Sequence, residues 1–143
     1  MRGLKATGIF LLGVGFASVA QACSCYPTPP PLEAIKGASA VFLAEIKEIA
    51  DSESIGAGGL NKKVTCEVKK IWKGVGKKTI EISTEANTAS CGFEFSKGQT
   101  YLIYANGPDQ DHLSVSLCSR THVFMPVNDD NDLFGEGNTP PAA

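Results

Sequence analysis

Apolar and polar residues alternate along the middle of this 143-residue chain with the two-residue period of β-strands. The first apolar run, Ala40 to Ile49 (AVFLAEIKEI), is rich in β-favouring Val41, Phe42 and Ile46 and turns polar late. A second strand is predicted from about Lys63 to Trp72, with Val64, Cys66 and Val68 on one face and Thr65, Glu67 and Lys69 on the other. That register makes Cys66 a core cysteine. Lys78 to Ser83 alternates Ile80 and Ile82 with Glu81, and Thr100 to Ala105 (TYLIYA) is apolar nearly throughout. The fifth strand, His112 to Leu117, alternates Leu113, Val115 and Leu117 with serines and runs into Cys118. A glycine-rich loop, Ser52 to Asn61, separates the first two strands, Trp72-Lys73-Gly74 turns after the second, and Asn106 to Asp109 turns after the fourth. A longer connection, Thr84 to Gly98, carries Cys91.

Only one short helix fits the pattern. Leu32 to Gly37 follows Pro31, which suits a first helical turn, and Gly37 can stop it. Ahead of it, Tyr26 to Pro31 (YPTPPP) has four prolines in six positions and predicts a stiff, extended segment. Five strands and one helix predict an all-β fold, a five-stranded OB-type barrel being one solution that removes exposed edges. A small sandwich has the same periodicity.

The two ends differ from this middle. Residues 1–22 carry Arg2 and Lys5, an apolar run from Ile9 to Val19, and Ala20-Gln21-Ala22 before Cys23, the three-part pattern of a cleaved signal peptide. Export through that leader implies a secreted or periplasmic protein whose first residue is Cys23. A cysteine at that position also raises a bacterial lipoprotein, although Ala20 stands where a large aliphatic residue is usual. Membrane attachment is expected only in that lipidated case. The folded domain is expected over residues 23–125. From Pro126 to Ala143 the composition (Asn128-Asp129-Asp130-Asn131-Asp132, then Gly135, Gly137, Pro140 and Pro141) predicts a disordered acidic tail. As a calcium loop it lacks the glycine and glutamate at the required spacings.

Removing 22 of the 143 residues leaves 121, one domain by length. Of 13 basic residues 11 remain, against 15 acidic, so nothing concentrates positive charge for nucleic acid. The only histidines, His112 and His122, lack partners at metal-motif spacing, and no nucleophile-elbow signature is present. No enzyme activity, catalytic residue, cofactor or metal held by this chain alone is expected. All five cysteines (23, 25, 66, 91 and 118) follow the leader. In an oxidising compartment they pair, with at least one left over and many pairings open.

The start Cys23-Ser24-Cys25-Tyr26-Pro27 resembles the Cys-X-Cys-X-Pro start of the tissue inhibitors of metalloproteinases, whose N-terminal domain is a netrin-like OB barrel. Further similarities follow in order. They are Ala40 to Ala44, Lys69 to Gly74, Ser90-Cys91-Gly92-Phe93, Tyr101-Leu102-Ile103 and Leu113 to Ser119, so the likeness spans roughly Cys23 to Val123. The resemblance implies that the Cys23 α-amine and carbonyl chelate the catalytic zinc of a partner metalloproteinase. Ser24 would enter the specificity pocket beside Cys25, and Ala89 and Ser90 would make a second contact. It further implies bridges Cys23–Cys91 and Cys25–Cys118, which leave Cys66 as an extra, unpaired cysteine, and the protein is expected to be a monomer. The family's third barrel bridge and its disulfide-rich C-terminal subdomain have no counterpart in this sequence. The competing expectation is a non-inhibitory netrin-like binding module in which both bridges are only structural.

Overall fold

A computed structural model describes residues 23–53, 60–127 and 129–142. The leader expected at 1–22 lies outside the described residues. Helix α1 (Pro31–Gly37) precedes six strands: β1 (Ala40–Glu53), β2 (Leu60–Lys73), β3 (Thr79–Glu85), β4 (Thr100–Ala105), β5 (Leu113–Ser114) and β6 (His122–Val123). They form one curled sheet in the order β5-β3-β2-β1-β4-β6. All pairs are antiparallel except β3 with β5. The β1–β2 register shifts at Val41/Phe42, Leu43/Ala44 and Ile46/Glu48. Such irregularities increase local twist and bend a long strand, as a curled sheet requires. Beyond the paired strands, Asn106 and Ser114 exchange backbone hydrogen bonds of 2.9 and 2.8 Å, which brings the end of β4 against β5.

Alternation explains the core. Ala40, Phe42, Ala44 and Ile46 of β1, Val64, Cys66 and Val68 of β2, and Ile80 and Ile82 of β3 face one interior, joined by Tyr101, Ile103, Leu113 and Val115. Phe42, Ile46 and Ile103 are fully buried, each contributing about 1.5–3 kcal/mol by the area rule. Cys66 is buried, as its strand register predicts, and it is free. Apolar residues on the opposite face of β1 and β4 are covered separately. Ala34 and Ala38, from α1 and just after it, pack with Val41, Leu102 and Tyr104, and Ile35, Trp72 and Phe134 close over them. This second cluster is why TYLIYA is apolar at successive positions.

On the outward face, the register sets Glu45 directly opposite Glu67, an unfavourable pairing by itself. Lys47 (2.8 and 3.0 Å) and Lys69 (3.3 and 2.9 Å) each bridge both carboxylates. Hydrogen bonds from Lys69 and then Lys47 pull the Glu67 carboxyl down to about 2.

Three expectations are corrected. Among the described residues there are six strands rather than five, because His122–Val123 adds to β4 over two residues, too few to show a period. The strand expected over 112–117 keeps strand geometry only at Leu113–Ser114, although Val115 N–H still donates to the Ser83 carbonyl. The acidic C-terminal segment is not an unstructured tail. Asp130–Leu133 forms a 3₁₀ turn and Phe134 packs edge-on to Trp72 and Tyr104, with centroids 6.1 and 6.3 Å apart. Asn138 exchanges both backbone hydrogen bonds with Ile71 at 2.7 and 2.8 Å. Gly137 (φ 65°) permits this close approach, since a Cβ there would press on the Trp72 ring. Composition missed this because one aromatic residue, a few backbone bonds and two acids among several similar ones hold the segment.

Candidate functional site at the N-terminal edge

Residues 23–30 run without helix or strand, and proline at 27, 29 and 30 removes donors that either structure would need. Cys23 is half-buried, whereas Ser24, Cys25 and Tyr26 are exposed, Tyr26 at 94%. Ser24, Cys25, Tyr26 and Pro27 line a shallow, open recess. The segment is nonetheless tied down. Cys23 is bonded to Cys91 and Cys25 to Cys118, the pairing the resemblance implies, with Cα–Cα distances of 5.2 Å in both. The bridges close spans of 68 and 93 residues. Chain-entropy arguments give each about 4 kcal/mol.

The partner of Cys23 sits in a loop built with some care. Asn87 caps the 3₁₀ turn Thr88–Ser90 by accepting from Ser90 N–H at 3.1 Å, and its carbonyl accepts from Gly92 N–H at 2.8 Å. Cys91 takes a left-handed conformation (φ 67°), turning the chain back so that its carbonyl accepts from Leu117 N–H at 2.8 Å. Gly92 follows because a Cβ there would overlap the Glu85 carbonyl. Ala89 and Ser90 are exposed immediately before Cys91. The fold therefore brings Cys23, Ser24 and Cys25 beside the Ala89–Ser90 loop, through a covalent bond.

A further anchor has no counterpart in the sequence reading. Arg120, two residues past Cys118, donates from Nη1 to the Pro29 carbonyl at 3.1 Å. Its Nε and Nη2 both donate to Asp130, and the Tyr104 hydroxyl donates to the same carboxylate at 2.9 Å. Burial alone raises an acid's pKa, but the Arg120 and Tyr104 hydrogen bonds outweigh it and hold Asp130 below the usual carboxylate value. Burial first, then the Asp130 carboxylate, pushes the Tyr104 hydroxyl up. Arg120 thus links the proline segment, the end of the Cys118 loop and the C-terminal segment. Nothing in the spacing of these residues announces the contact, because Asp130 sits among several similar acids.

The histidines lie in local networks. His122 contacts the Arg120 carbonyl through Nδ1 (2.7 Å) and Asp129 through Nε2 (3.0 Å), and Asp129 also accepts from Met125 N–H at 2.8 Å. His112 is exposed and paired with Asp109 at 2.8 Å. His112 and then the Asp111 amide hold the Asp109 carboxyl low. The sulfurs of Cys23, Cys25 and Cys118 lie within 4.8 Å of one another. Each is committed to a disulfide and lacks the thiolate that ligates metals. Two such bridges fit an oxidising environment. Among the described residues no helix is long and apolar enough to cross a membrane.

No protein-family model matches the chain, and no curated protein matches it.

Proposed function

We propose that the protein is a secreted, single-domain inhibitor of zinc metalloproteinases, built on an OB-type barrel of the netrin-like kind and acting through a free Cys23 amine. One observation carries this: the Cys23–Pro27 edge, half-buried at Cys23 and exposed from Ser24 on, is clamped by two bridges against an exposed loop, with no secondary structure of its own. A stapled edge loses little conformational entropy on docking, which favours affinity. Barrel closure is supported by the Asn106–Ser114 pairing, which would join β4 to β5 and give the cyclic order β1-β2-β3-β5-β4 expected of an OB barrel.

Cleavage after Ala22 would leave the Cys23 amine and carbonyl at the tip of this edge. An α-amine has a pKa of about 7.7–8.0, so a useful neutral fraction exists at neutral pH to ligate a metal. A catalytic zinc keeps one position open for water or substrate. Occupation of that position by Cys23 would displace the attacking water. Ser24 would follow into the specificity pocket, and Ala89 and Ser90 would rest on the protease beside it.

The test is a panel of zinc proteases assayed with the mature protein and with a variant carrying one extra alanine before Cys23. The mature protein should inhibit at least one protease, and the extended variant should lose inhibition while keeping its unfolding midpoint. Inhibition that survives the extension refutes zinc chelation by the terminus. A lipid mass on Cys23 would remove the free amine and sink the mechanism.

A further inference from the structure

The two bridges are not independent staples. The Cys23 sulfur, bonded to Cys91, lies 3.7 Å from the Cys118 sulfur, bonded to Cys25. That is van der Waals contact between sulfurs of different disulfides. Thiolate attack on a neighbouring disulfide sulfur needs such proximity and access, with its rate set also by the attacking and leaving thiols. Cys25 is exposed, so an external thiolate has a route to its bridge.

We propose that the four cysteines form one thiol–disulfide exchange unit, in which two-electron reduction by a dithiol moves the bridging to Cys23–Cys118 and frees Cys25 and Cys91. Suppose the dithiol opens Cys25–Cys118. One of its thiolates attacks Cys25 and releases the Cys118 thiolate. Its second thiolate then displaces Cys25 and closes the reductant into a cyclic disulfide. The dithiol has lost two electrons and two protons. The Cys118 thiolate, 3.7 Å from the Cys23 sulfur, attacks it, and the Cys91 thiolate leaves. This second stage is an isomerisation with no net electron transfer. The two protons end on Cys25 and Cys91. If Cys23–Cys91 opens first, the Cys23 thiolate attacks Cys118 and expels Cys25. Both routes converge on the same product, because the two central sulfurs are the ones in contact.

Cys66 takes no part. It is buried in the barrel interior, and burial pushes its thiol up to about 12, so it supplies little thiolate. The consequence for the N-terminal edge is specific: residues 88–91 lose their covalent tie to Cys23, while Cys23 stays anchored to Cys118. The exchange itself does not depend on what the edge does. Its regulatory meaning, a reductive release of inhibition, rests on the function proposed above.

The test treats the oxidised full-length mature protein with one equivalent of dithiothreitol, quenches in acid, alkylates free thiols and maps bridges by mass spectrometry. The expected two-electron-reduced species carries mostly Cys23–Cys118 with Cys25 and Cys91 alkylated. A majority retaining either original bridge, with the other pair alkylated, overturns the proposal. The variant Cys25→Ser probes the same step without reductant. It should be isolated with Cys23–Cys118 paired and Cys91 free, and a retained Cys23–Cys91 bridge argues against exchange. Should Cys25→Ser not fold, the titration of the unmodified protein still decides. The map is read without a protease, so failure to inhibit any member of the panel leaves this outcome unaffected.

Discussion

Asp130→Asn probes how the two ends of the chain hold each other. In the native protein this carboxylate accepts from Arg120 twice and from Tyr104 once, and Arg120 also holds the Pro29 carbonyl. Side-chain exposures of 27% for Arg120 and 11% for Asp130 place the pair between two regimes. Exposed pairs contribute about 0.2–1 kcal/mol, whereas removing one partner of a fully buried pair costs about 3–5 kcal/mol. Asparagine keeps one acceptor but turns an N–H₂ toward the guanidinium, so a loss of about 2 kcal/mol is expected. Urea unfolding with both bridges intact measures it. Because Asp130 titrates below its ordinary value in the folded state, its contribution is complete above the unfolded pKa of about 3.9 and is lost as pH falls through the lower folded value. The gap between native protein and variant should stay flat from about pH 7 to about pH 5 and shrink below about pH 4. A gap under about 0.5 kcal/mol at neutral pH, or one that persists unchanged in acid, refutes this account of the latch.

Three further outcomes follow from the packing. Phe134→Ala strips the half-buried ring from Trp72 and Tyr104 and should cost about 1–3 kcal/mol, below the range for a fully buried phenylalanine. Trp72 is the single tryptophan, so its emission should shift to the red, and an unchanged spectrum would show that the segment does not cover it. Gly92→Ala forces a Cβ into the Glu85 carbonyl and should lower stability by about 1–3 kcal/mol, read as a fall in Tm; an unaltered Tm would mean the loop relaxes freely. Iodoacetamide at pH 8 should leave Cys66 unmodified in the folded protein and label it fully in denaturant, and rapid labelling of the folded state would contradict its burial.

Much of the sheet was legible because its strands obey a simple rule. Val64, Cys66 and Val68 are buried and Glu67 and Lys69 point outward, as strict alternation requires. Thr100–Ala105 has the bounds its composition suggests, and α1 begins one residue earlier than expected. What was illegible depends on contacts distant in sequence. β6 exists because two residues dock on Tyr101 and Leu102, and Thr121 completes that edge by bonding the Tyr104 N–H and carbonyl through its hydroxyl (2.9 and 3.2 Å). The Arg120–Asp130 anchor and the Phe134 contact carry no periodic signature. At the N-terminal edge, the residue types and crowding of Cys23 and Cys25 were visible. The contact between sulfurs of different bridges was not, since it is set by how the Cys91 and Cys118 loops approach each other.

The pairing of Asn138 with Ile71 has a consequence for how copies of this chain meet. Beyond Glu67, which pairs with Thr79 at the start of β3, β2 continues, and its free backbone groups would offer a docking rail to any extended peptide. The protein's own C-terminal segment occupies that rail at Ile71, and Trp72 donates its indole N–H to the Gly135 carbonyl at 2.9 Å to hold it there. The segment thus serves as a self-supplied stopper against strand-to-strand growth. Proteolytic loss of residues 130–142 would then open this sheet margin to other chains, in addition to removing the Asp130 and Phe134 contacts.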